Sequence, residues 1–371
     1  MQIEKRPRAA RASIDRLEDR RLLSSVVPVI TQTNLVSDGA VAALHTDPNL
    51  VNPWGVAITN TGNVWVANNG TGTSTFYDQA GTPQSLVVAI PGPGGTGSGS
   101  PTGVAFNKSK GFKVSNGTAS APSEYVFVGE DGVITGWAPT LDLTHAFVAV
   151  DHSSAGDVFK GVALQGSKIY ATDFHHGTVE VFDKNFAPVT LKAGAFTDST
   201  LPSGFAPFGI SSVKGKIFVT YALQDVDAHD DLPGAGVGFV DEFSSSGKLI
   251  KRVASGGELN SPWAVTVAPS GWGKYSGDIL VGNFGDGHIT VFDKKNNDIG
   301  QLASSNGSAI SIGGLWALTP GVKSKIAKHQ IFFAGGTNGE ADGLFGVLSA
   351  TVPKVGKAVP GTTGTPHMPG Y

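Results

Sequence analysis

A chain of 371 residues with 27 Lys and Arg against 30 Asp and Glu has a formal net charge of −3 and no cysteine. That balance offers no general attraction to a phosphate backbone, so nucleic acid is disfavoured as a partner, and the missing thiols exclude disulfides, thiolate zinc sites and cysteine nucleophiles. Gly 51 and Pro 21 beside 40% hydrophobic residues describe many strands separated by turns, and no apolar run approaches the roughly 18 residues needed for a membrane-spanning helix.

Residues 1–29 read as a disordered basic leader. Lys5, Arg6, Arg8, Arg11, Arg16, Arg20 and Arg21 precede a modest apolar run from Leu22 to Ile30 that Ser24 and Ser25 interrupt. Asp15, Glu18 and Asp19 among the cations make it a poor ordinary signal peptide. The segment Leu17-Glu18-Asp19-Arg20-Arg21-Leu22-Leu23-Ser24 resembles the LEPR-x-LL segment of exported planctomycete proteins, with Asp19 where proline is usual. That resemblance implies a secreted or cell-envelope protein.

From there the sequence repeats. Gly55, Gly103, Gly161, Gly209, Ala264 and Ala317 each sit in a short strand-like phrase, roughly 50 residues apart, and each phrase is followed by a strand rich in β-branched and aromatic residues. Six such units of about four short strands predict an all-β, six-bladed β-propeller of four-stranded antiparallel blades. Its innermost strands converge on the axis, where a small residue relieves crowding. Predicted outer strands cover residues 85–90, 146–151, 188–193, 248–254 and 299–304, which leaves the sixth unit one strand short. Residues 30–37 supply it, so the N-terminal strand closes the ring in the last blade and removes two open edges. Residues 30–352 thus form one domain, and 353–371 a flexible tail. The Gly-rich stretch 91–100 lacks a phosphate-loop ending and reads as a blade linker.

The phrases Asn34-Leu35-Val36-Ser37-Asp38, Asp47-Pro48-Asn49-Leu50-Val51-Asn52-Pro53-Trp54-Gly55 and Trp65-Val66-Ala67-Asn68-Asn69-Gly70 resemble the opening of a family of exported bacterial propellers with no assigned activity. The wider group is similar to NHL-repeat and TolB-like six-bladed propellers. The resemblance implies the fold; that group includes lactonases, lyases and non-catalytic binding proteins, so it does not select a chemistry.

Propeller connectivity sends the second-to-third-strand loops and the blade-to-blade loops to one face. That face receives Asp38, Asp47, Glu130, Asp131, Asp151, Asp157, Asp173, Asp198, Asp225, Asp227, Asp230, Asp231, Glu258, Asp286, Glu340 and Asp342. The opposite face receives Lys108, Lys110, Lys113, Lys168, Lys214, Lys216, Lys274, Lys323, Lys325 and Lys328. A near-neutral sum therefore hides a dipole, and the acidic face would concentrate cationic ligands.

Just after the second strands, at the channel mouth, stand Asn68, Glu130, Asp173, Tyr221, Asn283 and Gly335. Asn68, Glu130, Asp173 and Asn283 offer hard oxygen ligands suited to Ca2+ or Mg2+, which would polarise a substrate carbonyl with His175 or a carboxylate as general base. The competing reading is that polar residues end strands at turns and bond local backbone. Asp225, Asp227, Asp230 and Asp231 form the densest acidic stretch, a second Ca2+ candidate without the order of an EF-hand loop. His175 and His176 point oppositely in an extended stretch, which argues against joint coordination. Trp54, Trp263 and Trp316 recur beside the inner strands and read as core or channel packing.

These features favour a monomeric ligand- or partner-binding scaffold working through its acidic face, its partner a small molecule, carbohydrate or surface protein. No motif requires catalysis or a cofactor. The alternatives are a Ca2+- or Mg2+-dependent lactonase-like hydrolase or lyase at the channel mouth, and a structural protein of an extracellular matrix.

Overall fold

A computed structural model describes residues 26–322 and 329–353. Of the leader expected at 1–29 and the tail expected at 353–371, all but residues 26–29 and 353 lie outside the described residues, as do Lys323, Lys325 and Lys328, and Val29 already belongs to a strand. Six sheets surround one axis, as the repeat predicts. Blade 1 comprises Pro53–Ile58, Val64–Asn68, Thr73–Tyr77 and Pro83–Ala89; blade 2 comprises Pro101–Phe106, Tyr125–Gly129, Val133–Trp137 and Phe147–Asp151. Blade 3 has Phe159–Gln165, Lys168–Asp173 and Thr178–Phe182; blade 4 has Phe205–Val213, Lys216–Leu223, Phe239–Phe243 and Leu249–Ser255. Blade 5 is built from Pro262–Val267, Ile279–Asn283, Ile289–Phe292 and Asp298–Gln301, and blade 6 from Leu315–Pro320, Gln330–Gly335 and Leu344–Thr351.

Val29–Ser37 completes blade 6. It runs antiparallel to Leu344–Thr351 from Val29 opposite Thr351 to Ser37 opposite Leu344, with an irregularity between Asn34 and Val36. His45–Thr46 then adds a short parallel strand outside it, covering part of the edge that closure leaves.

The small residues of the inner strands are explained by backbone approach. A Cβ on Gly209 would lie 2.0 Å from the carbonyl oxygen of Trp263, and one on Gly55 2.6 Å from the amide nitrogen of Val104. Neighbouring inner strands touch through their main chains at this height, which only a missing or minimal side chain permits.

Blade 3 departs from expectation, because no outer strand forms over residues 188–193. The turn before it is held by the Asp183 carboxylate, which accepts from the Asn185 and Ala187 amides, with Phe186 at φ 61°. Pro188 has no N–H to donate, and one bond from the Val189 amide to the Val181 carbonyl is made before the chain leaves the sheet. Val189 and Leu191 instead pack between blades 3 and 4 against Tyr170, Phe196 and Phe243. An unforeseen hairpin, Lys113–Ser115 with Ser120–Pro122, is inserted between the first two strands of blade 2 and buries Phe112 and Val114.

Apolar layers fill the gaps between sheets. Trp65, Tyr125 and Trp137 cluster between blades 1 and 2. Tyr77 stacks on Phe345 across the seam between first and last blades, ring centroids 5.3 Å apart. Along the axis the two ends differ. The C-terminal ends of the inner strands surround a shaft of about 450 Å³, walled by Ile58, Phe106, Leu164, Val267 and Leu318 with Lys108 and Lys214 beside them. At the N-terminal ends side chains close the axis.

Candidate functional site: the closed axial mouth

The residue preceding the small residue of each inner strand is, in blade order, Trp54, Thr102, Lys160, Phe208, Trp263 and Trp316. Most of this ring forms an aromatic floor. Trp54 and Trp316 stack, Phe284 stacks on Trp316 with centroids 4.0 Å apart, and Trp263 meets Trp54 edge-on at 6.4 Å.

Lys160 is the charged member, and it is 2% exposed. Its ammonium lies 5.4 Å from the centre of the Trp54 ring and 5.9 Å from that of Phe174, while the Trp263 indole N–H donates to its backbone carbonyl. A buried ammonium needs anionic partners. Lys160 Nζ donates to Glu130 Oε1 at 2.5 Å and to Asp230 Oδ1 at 3.1 Å. Burial pulls the lysine's pKa down, but Glu130 and then Asp230 outweigh it, and the net direction is upward.

A polar chain continues around the mouth. Asn69 Nδ2 donates to Glu130 Oε2 at 2.8 Å, Asn52 Nδ2 donates to Glu340 Oε1 at 3.1 Å, and the Trp316 indole donates to Asn52 Oδ1 at 3.2 Å. Asn52 and Glu340 adopt φ of 46° and 69°, left-handed conformations that aim both side chains into this network. Asn69, Glu130, Asp230 and Glu340 come from the second-to-third-strand connections of blades 1, 2, 4 and 6. Burial raises the Glu340 carboxyl, Glu130 and Asp230 adding to the rise while Asn52 and Lys160 oppose it. Beside Asp230, burial pushes the Asp231 carboxyl up to about 6, against the pull of the Ser261 hydroxyl and Lys160.

The residues expected at the mouth have separate partners. Asn68 bonds through Nδ2 to Thr73 and Thr75 inside blade 1, and Asn283 to the Glu258 carbonyl and Asp286 inside the blade 5 region. The Oδ1 atoms of both amides are buried without a partner. Asp173 accepts from the Val158 amide and pairs with His176, not His175; the two imidazoles lie edge to face, centroids 4.9 Å apart. Among the described residues no hydrogen bond or ion pair joins any two of Asn68, Glu130, Asp173 and Asn283. The ammonium of Lys160 stands between Glu130 and Asp230, where a cation bound by those carboxylates would go.

Within the acidic stretch, Asp230 turns inward to Lys160, and Asp231 has one buried carboxylate oxygen without a partner. Asp225 caps its own turn by accepting from the His229 amide, and Asp227 points to solvent. The stretch does not converge on one point. Lys160 itself was not anticipated as a functional residue. Its signal was present in the repeat, as a cation at a position where four other units carry Trp or Phe.

No family model matches the chain. The uncharacterized protein R648 of Acanthamoeba polyphaga mimivirus is 32% identical over 321 residues, spanning 85% of this chain and 78% of the relative. The chain belongs to the same family as R648. That relative is viral, so it lends no support to a specifically bacterial family or to the export segment at Leu17–Ser24. Among solved structures, a streptogramin B lyase superposes with a TM-score of 0.51 at 12% identity, covering 87% of this chain and 98% of that one. A Bacteroides thetaiotaomicron protein of unknown function gives 0.53 at 10% identity over 86% and 76% of the two chains. These likenesses show the propeller fold.

Proposed function

We propose that the protein is a binding scaffold whose ligand or partner presents an amine or guanidinium group to the axial mouth on the acidic face. The observation that carries this reading is the gathering of Glu130, Asp230 and Glu340, from three blades, around the buried ammonium of Lys160. Three carboxylates against one cation leave the mouth negative, and the Asp230 side chain is 66% exposed, so it reaches an incoming ligand. The closed aromatic floor keeps the ligand at the mouth rather than in the shaft. Lysines at the far end of the axis orient the field toward the acidic face. Metal-assisted hydrolysis at the same place is less well supported, because Lys160 already neutralises Glu130. Export belongs to this proposal on the strength of the Leu17–Ser24 segment alone, and signal-dependent appearance outside the cytoplasm tests it.

The binding test is calorimetric titration with spermidine and with an oligolysine peptide at low and high salt. Binding should weaken with salt and fall about tenfold in Glu340→Gln and in Asp230→Asn. Absence of binding, or affinity indifferent to both variants, would refute the reading.

A further inference from the structure

On the same face, at the junction of blades 2 and 3, two imidazoles and three carboxylates meet away from the axial network. His152 and Asp157 belong to the connection between the blades, Asp173 ends the second strand of blade 3, His176 follows in the turn and Glu180 stands on the third strand. Asp157 is 5% exposed and Asp173 1%. Among the described residues no Lys or Arg pairs with any of the three carboxylates. Buried carboxylates whose basic neighbours are imidazoles alone draw their positive charge from protonated histidine or from a bound cation.

The cluster has an internal symmetry. His152 Nδ1 lies 2.7 Å from Asp157 Oδ2 and 3.3 Å from Glu180 Oε2. His176 Nδ1 lies 3.4 Å from the other oxygen of the same carboxylate, Asp157 Oδ1, and 2.7 Å from Asp173 Oδ2. Each half therefore holds one imidazole nitrogen, one terminal carboxylate and one oxygen of Asp157, with its ligand atoms within 4.8 Å of one another. Donors bound at about 2.1 Å to one ion stand roughly 3.0–3.4 Å apart; the 3.3 and 3.4 Å separations match that spacing, and the two at 2.7 Å are imidazole–carboxylate hydrogen bonds whose proton an incoming ion would displace.

We propose that this cluster is a pair of subsites for divalent transition-metal ions, bridged by the carboxylate of Asp157. Imidazole mixed with carboxylate suits Zn2+ or Mn2+, whereas Ca2+ takes an all-oxygen shell. Three protein donors per ion leave positions for water or a ligand. The His152 and His176 side chains are 33% and 45% exposed, which gives ions a path in from solvent. The site shares no residue with the network around Lys160, so either proposal can fail alone.

The test is equilibrium dialysis of chelator-treated protein against ZnCl2 or MnCl2, followed by metal analysis and, for Mn2+, electron paramagnetic resonance. The full chain should retain about two ions, and the Mn2+ spectrum should show exchange coupling through the shared carboxylate. Asp157→Asn should lose both ions. His152→Gln and His176→Gln, at partly exposed positions, should each lose one, which keeps the test decisive if the Asp157 variant does not fold. No retained metal would mean that protonated histidines balance the charge, and would overturn the proposal. Retention unaffected by these substitutions, or a single uncoupled ion, would overturn it equally.

Discussion

Trp54 and Trp316 lie face to face where the last blade meets the first, their ring centroids 3.4 Å apart and their planes inclined by 16°. Two stacked indoles couple electronically, so the folded protein should show an exciton couplet in its circular dichroism. Trp316→Phe should abolish the couplet and cost about 2 kcal/mol in denaturant unfolding, since it thins a buried aromatic stack. A couplet that survives the substitution would mean that this stack is not the coupled pair.

Glu130 and Lys160 should respond unequally to mutation. Glu130→Gln leaves a buried ammonium with Asp230 as its one remaining ion-pair partner, at an expected cost of about 3 kcal/mol. Lys160→Met puts an apolar chain of similar length among Trp54 and Phe174 and leaves Glu130 its bond to Asn69, so its cost should be about 1 kcal/mol. Urea unfolding of the two variants checks the order, and its reversal would contradict the account of the buried cation.

Asp231 should make stability depend on pH. Its folded pKa of about 6 lies above the usual carboxylate value because burial disfavours the charged form. The folded state thus holds this proton more tightly than the unfolded chain. The resulting stabilisation is fully present below the unfolded pKa and is lost as pH rises through 6, on the order of 2 kcal/mol in all. Asp241, likewise raised to about 6 by burial despite Arg252, acts in the same direction. Unfolding at pH 4.5 and 7.5 should show Asp231→Asn with a smaller loss between the two than the wild-type chain.

The inner-strand glycines should differ in sensitivity. An added methyl at Gly209 meets the Trp263 carbonyl at 2.0 Å, whereas at Gly161 its nearest atom is the Ile210 amide at 3.1 Å. Gly209→Ala should therefore lose about 3 kcal/mol and Gly161→Ala about 1 kcal/mol, read from thermal or urea unfolding. Equal effects would mean that the blades relax at this height.

The architecture was legible because its cause is periodic. Gly or Ala at the closest approach of each inner strand and the strand 30–37 without a blade of its own are both requirements of a closed ring, and the structure has both. Residues 188–193 misled because their outer-strand composition said nothing of the Phe186 turn or of the apolar gap that draws Val189 and Leu191 away. The charged sites were harder to read. Loop assignment placed Glu130, Asp230 and Glu340 on one face but carried no information on which would meet Lys160. The same holds for Asp157 and Asp173, brought to one cluster by a blade junction, while the choice of His176 over His175 depends on the local turn.

The pairing of Val29–Ser37 with Leu344–Thr351 joins the first-made strand of the ring to its last-made one. A ribosome producing this chain releases five complete or nearly complete sheets before the partner of the first ribbon exists, so that ribbon must wait with its hydrogen-bonding edge bare. Completion of the circle is consequently a post-synthetic event between segments distant in the chain, and such contacts form slowly. During that interval the nascent polypeptide is most open to capture by chaperones or by another copy of itself.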